Sequence, residues 1–430
     1  MHTVEESPER TVLVGAPPRQ RSKEIVDEHL EELTRLARTA GANVVGAAVQ
    51  RLDSPHPATY IGSGKIEQVG DLARQRGASL IVFDEDLSPA QGSELEDRLD
   101  VRVMDRTELI LDIFALRART AEAKLQVELA QLQYMRPRLK RMWTHLSRTA
   151  GGIGARGPGE QQLETDRRLI DRRITLLRSQ LEEIASSRDT RRKRRENEFC
   201  VALVGYTNAG KSSILGALSD SDLFVEDRLF ATLDAATRAV DVGDGYSALV
   251  TDTVGFIRKL PHHLVASFRA TLEEVRAADL LLHIIDASAP NWQRQVDAVN
   301  EVLEDMETPP ESVVLVFHKV DRLSADQKRA LRERSDALLG PHVLTTVEEE
   351  DGLAPLRKVV RERIRSSRPT VRLTLPVHDG RTLAEAYEAG EVLTREQNGT
   401  DIVITARVPE AVVGRWEGQE GILVQRQDAA

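Results

Sequence analysis

The chain has 430 residues, which at ~150 residues per domain predicts roughly three domains. Its 40% hydrophobic and 30% charged residues exclude a disordered or fibrous protein, and its longest strongly apolar stretches, such as Leu280 to Ile285, fall far short of the ~20 residues of a membrane helix. A single cysteine, Cys200, excludes an internal disulfide framework and a Cys-based zinc site, while the net charge of −10, taken alone, argues against a nucleic-acid binder.

In chain order, Met1 to Arg10 is acidic and lacks an apolar signal core, so a reducing cytoplasm is the expected compartment. Thr11 to Val14, Asn43 to Val49, Leu80 to Asp84 and Val101 to Met104 read as strands. Between them, Ser22 to Ala40, Lys65 to Ala78 and Ala90 to Leu99 read as helices, the first with an apolar stripe at Ile25, Leu30, Leu33 and Leu36. This alternation predicts a small parallel α/β domain over 1–106. A long helix is then predicted from Leu109 to Met135, with Asp105 and Glu108 as a capping box and Pro137 ending or kinking it. The Gly-rich run Gly151 to Gly159 leads into a second helix, about Gln161 to Asp189, with Ile170, Ile174, Leu177, Leu181 and Ile184 in alternating spacing. The two predict an antiparallel hairpin over 107–197.

Charge is concentrated here. Arg136 to Arg195 carries 17 Lys and Arg against 7 Asp and Glu, a local footprint for a polyanion or a solvated helical face. Within it, Arg136, Arg138, Lys140 and Arg141 beside Trp143 combine phosphate-binding cations with a ring able to stack on an unpaired base; the plain alternative is a helix end with Trp143 packed inside the hairpin.

A second α/β alternation fills 198–367, with strands at Cys200 to Val204, Ala248 to Thr251, Leu280 to Ile285 and Val313 to Phe317. Residues 368–430, with runs at Val371 to Leu375 and Ile402 to Ala406 around a helix near Leu383 to Tyr387, predict a small α+β domain.

The strongest motif is Gly205-Tyr206-Thr207-Asn208-Ala209-Gly210-Lys211-Ser212, a phosphate loop between an apolar strand and the helical segment Ser213 to Leu218. Its glycines let backbone N–H groups wrap a phosphate, Lys211 neutralises β and γ oxygens, and Ser212 holds Mg²⁺. Asp252-Thr253-Val254-Gly255 closes a later strand, where Asp252 suits the Mg²⁺ shell and the Gly255 N–H suits a γ-phosphate. Beyond Phe317, Lys319-Val320-Asp321 offers a carboxylate that accepts both N–H donors of a guanine edge, which adenine lacks. In this order the motifs predict a GTPase with Mg²⁺ and GTP or GDP.

Asp252 to Pro261 (DTVGFIRKLP), Tyr60 to Lys65 (YIGSGK), Gln126 to Leu132 (QVELAQL), Gly157 to Glu160 (GPGE) and Gln162 to Arg168 (QLETDRR) resemble the HflX family of ribosome-associated GTPases over essentially the whole chain. The resemblance implies a phosphate-loop GTPase domain preceded by a small α/β domain and a helical hairpin, with a small C-terminal α+β domain. It implies binding to the large ribosomal subunit and its rRNA, and splitting of stalled or idle ribosomes under stress. It also makes Phe230-Ala231-Thr232-Leu233-Asp234 switch I, with Phe230 at the nucleotide and Thr232 on Mg²⁺, and makes Thr346-Val347 the segment behind the base. The candidate catalytic residues are then Lys211, Thr232 and Gly255, and the Mg²⁺ ligands Ser212, Thr232 and Asp252. Gly205 through Ser213, Phe230, Thr232, Asp252, Gly255, His318, Lys319, Asp321, Thr346 and Val347 hold the nucleotide.

The chain departs from the family pattern at His318, where Asn is usual, at Thr346-Val347, where Ser-Ala is usual, and at Ala155 and Gln161, where Thr is common. Phe256 stands where many GTPases keep a water-orienting Gln, so slow intrinsic turnover, accelerated by a partner, is expected. Asn208 suits either a K⁺ site or a loop-bracing hydrogen bond. Gly62-Ser63-Gly64-Lys65 reads as a strand-to-helix turn, with an anion site at the helix start open and the family linked to ATP through this domain. The histidines His262 and His263 lack metal-ligand partners in the sequence, so no metal beyond Mg²⁺ is expected, and a monomer is expected. Two other readings stay open: a weakly hydrolysing module that caps or helps assemble the large subunit, and an ATP-dependent RNA-remodelling enzyme.

Overall fold

The computed structural model describes residues 8–139, 158–193, 198–219, 229–230, 232–259, 269–309, 312–336, 341–419 and 421–427. Lys140, Arg141, Trp143, Ala155, Arg156, Ala231, His262 and His263 lie outside the described residues, as do the side chains of 158–163, Gln161 among them. The chain divides into two units, one drawn from Met1–Ile184, Glu226–Asp234 and Lys259–Arg269, the other from Ala185–Val225, Ala235–Arg258 and Ala270–Ala430.

In the first unit, β1 (Arg10–Gly15), β2 (Asn43–Val49), β3 (Leu80–Phe83) and β4 (Arg102–Met104) form a parallel sheet in the order β2-β1-β3-β4. The connecting helices are α1 (Lys23–Thr39), α2 (Ser63–Arg76) and α3 (Pro89–Leu99). β3 throughout and β1 from Val12 to Val14 are apolar because both their faces are covered, and Val12, Val14, Ile81 and Phe83 share a core with Ile66, Val69, Leu95 and Leu99. Each chain entry into α1 and α3 is fixed by a serine cap, Ser22 and Ser88, the latter completed by Gln91 as a capping box.

Helix α4 (Arg106–Arg117) and helix α5 (Ala121–Met135) replace the single helix that periodicity predicts over Leu109 to Met135. Thr120 breaks it: its backbone is extended and its hydroxyl accepts from Ala123 N, so it caps a new helix. Arg136–Arg138 then tightens into a 3₁₀ turn around Pro137. Helix α6 (Pro158–Lys193) packs on α5 through Ile174 and Leu177 against Leu129, flanked by Leu125, Leu132, Ile170 and Leu181. Arg173 forks onto Glu128 at 2.6 and 2.7 Å, tying the helices at their rim.

The second unit is built on β5 (Cys200–Gly205), β6 (Ala236–Gly243), β7 (Tyr246–Asp252), β8 (Leu280–Asp286), β9 (Val313–His318) and β10 (His342–Leu344). Their order is β10-β9-β8-β5-β7-β6, parallel except for β6, a hairpin strand that alternation alone did not signal. Helices α7 (Lys211–Ser219), α8 (Arg269–Arg276), α9 (Trp292–Asp305), α10 (Ala325–Asp336) and α11 (Ala354–Ser367) complete it. The core unites Val201, Leu203, Leu282, Ile284, Val314 and Val316 with Leu215 and Leu356.

The same unit ends in β11 (Thr370–Pro376), α12 (Gly380–Ala389), β12 (Glu391–Asn398), β13 (Asp401–Arg407), α13 (Glu410–Glu417) and β14 (Leu423–Gln427). This is a βαββαβ arrangement with an antiparallel sheet ordered β12-β13-β11-β14 around Trp416. Among the described residues, no helix is long and apolar enough to cross a membrane.

Candidate functional site

The nucleotide-site residues that the sequence singles out in the second unit collect at the carboxyl ends of β5, β7, β9 and β10, the edge where parallel α/β sheets bind ligands. The chain leaves β5 through Gly205, turns at Asn208 in a left-handed conformation (φ 63°), and enters α7 at Lys211. Gly210 sits at φ 107°, and a Cβ there would stand 2.4 Å from Cδ2 of His318, so this loop and this histidine exclude any side chain at 210.

Lys211 is buried, and its Nζ donates to the carbonyls of Gly205 (3.1 Å) and Tyr206 (3.0 Å). Burial pushes its pKa down to about 8, opposed by the nearby Asp252 carboxylate and assisted by the Lys319 charge. Ser212 follows at the helix start, and its hydroxyl donates to Asp252 at 2.6 Å. Asp252 ends β7, buried.

The segment after Asp252 is fastened to the phosphate loop by backbone. Phe256 N donates to Gly205 O (3.0 Å), and Thr207 N donates to Phe256 O (2.7 Å). Gly255 thereby lies so close that a Cβ would meet Thr207 Cα at 2.7 Å and Lys211 Nζ at 3.1 Å. The Gly255 backbone is therefore beside the ammonium that would meet phosphate. Phe256 itself is buried.

On the base side, Lys319 sits in a left-handed conformation and its ammonium joins the phosphate loop to β8: Nζ donates to Asn208 O (2.9 Å) and pairs with Asp286 (2.7 Å). Asp286 also accepts from Ser288 N (3.0 Å) and Ser288 Oγ (2.6 Å). Burial would raise its pKa, but the bonds from Lys319 and Ser288 outweigh this and hold it below the ordinary aspartate value. Sequence reasoning missed Asp286. Its signal was available, an acid closing an otherwise apolar strand at the edge where the ligand residues end.

His318 is buried against Gly210, and its Nδ1 lies 3.2 Å from Thr345 Oγ1. Burial and the Lys319 charge push its pKa down to about 4, so the ring is neutral at pH 7. A neutral imidazole thus fills the place between the phosphate loop and β10. Asp321 is exposed and accepts from Thr346 Oγ1 at 2.6 Å, which aims the carboxylate; Thr346 Oγ1 in turn accepts from Glu348 N at 3.1 Å. The Thr346 N–H is engaged by Gly352 O (3.2 Å), and Val347 packs on the core.

Ser213 lies in the first turn of α7. Phe230 and Thr232 belong to the other unit, where Phe230 is buried and meets the Phe114 ring edge-on at 4.7 Å. In that unit Gly62 caps the start of α2, and its N–H donates to Gln50 Oε1 (3.0 Å). Arg138 differs from its expected role at an RNA surface. It is committed inward to Leu87 O (2.7 Å) and Asp105 (3.2 Å), and stacks on Tyr134 at 3.6 Å. Arg136 is exposed and pairs with Asp171 at 2.6 Å.

The chain matches three family models: GTP-binding GTPase N-terminal over residues 27–115, GTP-binding GTPase Middle Region over 117–195, and 50S ribosome-binding GTPase over 200–319. Among curated proteins, the GTPase HflX of Magnetococcus marinus is 44% identical over 98% of this chain and 98% of its own length. That of Escherichia coli K12 is 42% identical over 92% and 93%. A solved structure described as a GTP-binding protein from the hyperthermophilic archaeon Sulfolobus solfataricus in complex with GDP is 23% identical, covers 82% of this chain and 98% of that one, and has a TM-score of 0.43.

Proposed function

The chain belongs to the HflX family of GTPases, and from that premise we propose that it hydrolyses GTP to GDP and uses this cycle to bind the large ribosomal subunit and part stalled or idle ribosomes in the cytoplasm. The observation that supports the reading is the convergence of Lys211, the Ser212–Asp252 pair, Gly255 and the Asp321–Thr346 pair on one edge of one sheet.

The residues suit Mg²⁺ as a nucleotide-borne ion. Ser212 and Asp252 are hard oxygen donors 2.6 Å apart, and among the described residues no three His, Cys, Asp or Glu gather into a resident metal cage. That is the donor set of an ion that keeps its waters and phosphate oxygens. Ser212 and Asp252, with Thr232, would hold it, and bound there it would neutralise charge on the β and γ oxygens. Lys211 exchanges its two carbonyl partners for phosphate oxygens, and the α7 N-terminus adds its oriented N–H groups. The Gly255 N–H donates to the γ-phosphate. Asp321 accepts the two guanine N–H donors, while Thr346 holds its carboxylate in that direction. Phe256, buried and bonded through its backbone, offers no polar group at the place where many GTPases orient a water, so turnover is slow until the ribosomal partner orders the switches. K⁺ beside Asn208 would serve the same end, and faster turnover in KCl than in NaCl tests it.

The experiment is a sucrose-gradient profile of intact ribosomes with the protein as a monomer and GTP, GDP or a non-hydrolysable analogue, alongside calorimetry with GTP, GDP and ATP. Free subunits with GTP, and guanine over adenine preference, are the expected results. Intact ribosomes under every nucleotide remove ribosome splitting; indifference to guanine nucleotides removes the GTPase reading.

A further inference from the structure

Tyr206 belongs to the phosphate loop by its backbone and to the segment after Gly255 by its side chain. Its carbonyl accepts from Lys211 Nζ at 3.0 Å. Its hydroxyl accepts from Arg258 N at 2.9 Å, 52 residues along the chain. Between these two bonds, Tyr206 and Phe256 pair as an isolated parallel bridge, closed by Phe256 N on Gly205 O (3.0 Å) and Thr207 N on Phe256 O (2.7 Å). Tyr206, Phe256 and Ile257 are all buried, so the run from Gly255 to Arg258 is laid along the loop with water excluded from the contact.

The two backbone bonds both run through Phe256, so by themselves they leave the chain free to pivot about that residue. The Tyr206 hydroxyl takes a third bond two residues on and fixes the direction of the segment. A phenol on a buried, rigid ring delivers that acceptor at a set distance from the loop. The consequence is felt at Gly255, one residue before the bridge, where a Cβ would stand 2.7 Å from Thr207 Cα and 3.1 Å from Lys211 Nζ. An oxygen that accepts from the Lys211 ammonium is thereby within reach of the Gly255 N–H as well. Without the hydroxyl, the Arg258 N–H must turn to water for a partner, and the segment moves with it.

We infer that Tyr206 is a positioning residue for the γ-phosphate: its hydroxyl, by holding Arg258 N, keeps the Gly255 N–H at the distance from Lys211 that one phosphate oxygen spans. The inference rests on the GTPase reading of the same site and deepens it. Read from sequence, Tyr206 is one nucleotide-binding member of the loop; in the fold its side chain serves the backbone beyond Gly255 instead. GDP has no phosphoryl group at that place and binds without using this contact. GTP uses it, because a segment already held in place need not be ordered when the γ-phosphate arrives.

The test uses the full-length chain with Tyr206→Phe, which keeps the buried ring and removes the acceptor, and Tyr206→Leu, which removes both. Hydrogen exchange read by mass spectrometry follows the peptide over Phe256 to Arg258 in the nucleotide-free protein. Calorimetry gives the affinities for GDP and for a non-hydrolysable GTP analogue, and steady-state hydrolysis gives kcat and KM. For Tyr206→Phe the expected result is faster exchange in that peptide and a roughly tenfold loss of analogue affinity and of kcat, with GDP affinity within twofold of the parent. Tyr206→Leu is expected to weaken GDP and the analogue together, which is how general damage to the loop reads. The same pattern in Tyr206→Phe overturns the inference, as do unchanged exchange at Phe256 to Arg258 or unchanged analogue affinity. If the parent protein itself neither binds nor hydrolyses GTP, the GTPase reading fails and the inference falls with it.

Discussion

Asp286→Ala is the most informative single change at the nucleotide site, because the residue touches no atom of the expected nucleotide and yet fixes one that does. The carboxylate makes one ion pair with Lys319 at 2.7 Å and two hydrogen bonds with Ser288, with Lys319 and Asp286 side chains only 14% and 18% exposed. Hydrogen bonds to charged groups contribute ~1.5–3 kcal/mol each, and water can replace part of what the Ser288 side loses. We expect the nucleotide-free protein to lose about 2 kcal/mol of stability in urea denaturation. Among the described residues the Lys319 ammonium then keeps the bond to Asn208 O, and the phosphate loop loses its fixed distance from β8. If that loss falls on the bound state, GDP affinity drops ~30-fold, since 1.4 kcal/mol is a factor of ten. Calorimetric titration with GDP beside the denaturation curve decides it. A stability loss with unchanged GDP affinity would refute the reasoning and leave Asp286 a purely structural residue. The pH dependence has a definite sign. Asp286 is held below its unfolded pKa, so its contribution is present above the ordinary aspartate value of ~4 and fades as pH falls through the lowered one; the variant should lack this acid-side loss.

Lys211 titrates near 8 in the nucleotide-free protein, so between about 8 and its ordinary value of 10.5 the folded state binds fewer protons than the unfolded chain, and stability rises with pH. Phosphate restores the charged form, so GTP binding at pH 9 should take up protons, seen as a dependence of binding heat on buffer ionisation enthalpy, and Lys211→Met should abolish the uptake. Asp321→Asn should erase the preference for GTP over ATP, whereas His318→Ala, which opens space above Gly210, should weaken both nucleotides alike; competition binding with GDP and ADP separates the two. Arg138→Ala removes an inward guanidinium from Asp105, Leu87 and Tyr134 and should cost about 3 kcal/mol in thermal or urea unfolding, while Arg136→Ala, at an exposed pair, should stay within ~0.5 kcal/mol.

The phosphate loop was legible because its chemistry is local: Gly205 to Ser212 carries strand, turn and helix start in consecutive residues, Asp252 closes a strand, and Gly255 and Asp321 each follow a strand end by three residues. What escaped is set by residues distant in the chain. Asp286 and Lys319 stand 33 residues apart, and neither alone is distinctive. Arg138 was misread for the same reason. Beside Arg136 and ahead of Lys140, its charge reads as a surface patch, and only the fold brings Asp105 and the Tyr134 ring to it.

The break between α4 and α5 is the case where the limits of periodicity are plainest. Apolar residues continue at helical spacing from Leu109 through Leu132, and Arg117, Ala118 and Arg119 contain no helix breaker. Nothing within the window forbids a continuous helix. The interruption stabilises something outside it: an exposed helix N-terminus at Thr120, whose free N–H groups at Arg119 and Thr120 receive Asp234 from 114 and more residues away. A continuous helix would bury those donors in its own ladder and leave Asp234 without a seat. Thr120→Ala is therefore expected to act in two ways at once. It removes the α5 cap, worth about 1 kcal/mol, and the hydroxyl bond to Asp234, so that stability in urea denaturation falls by at least about that much. A variant as stable as the parent would show that Thr120 holds neither the α5 start nor Asp234.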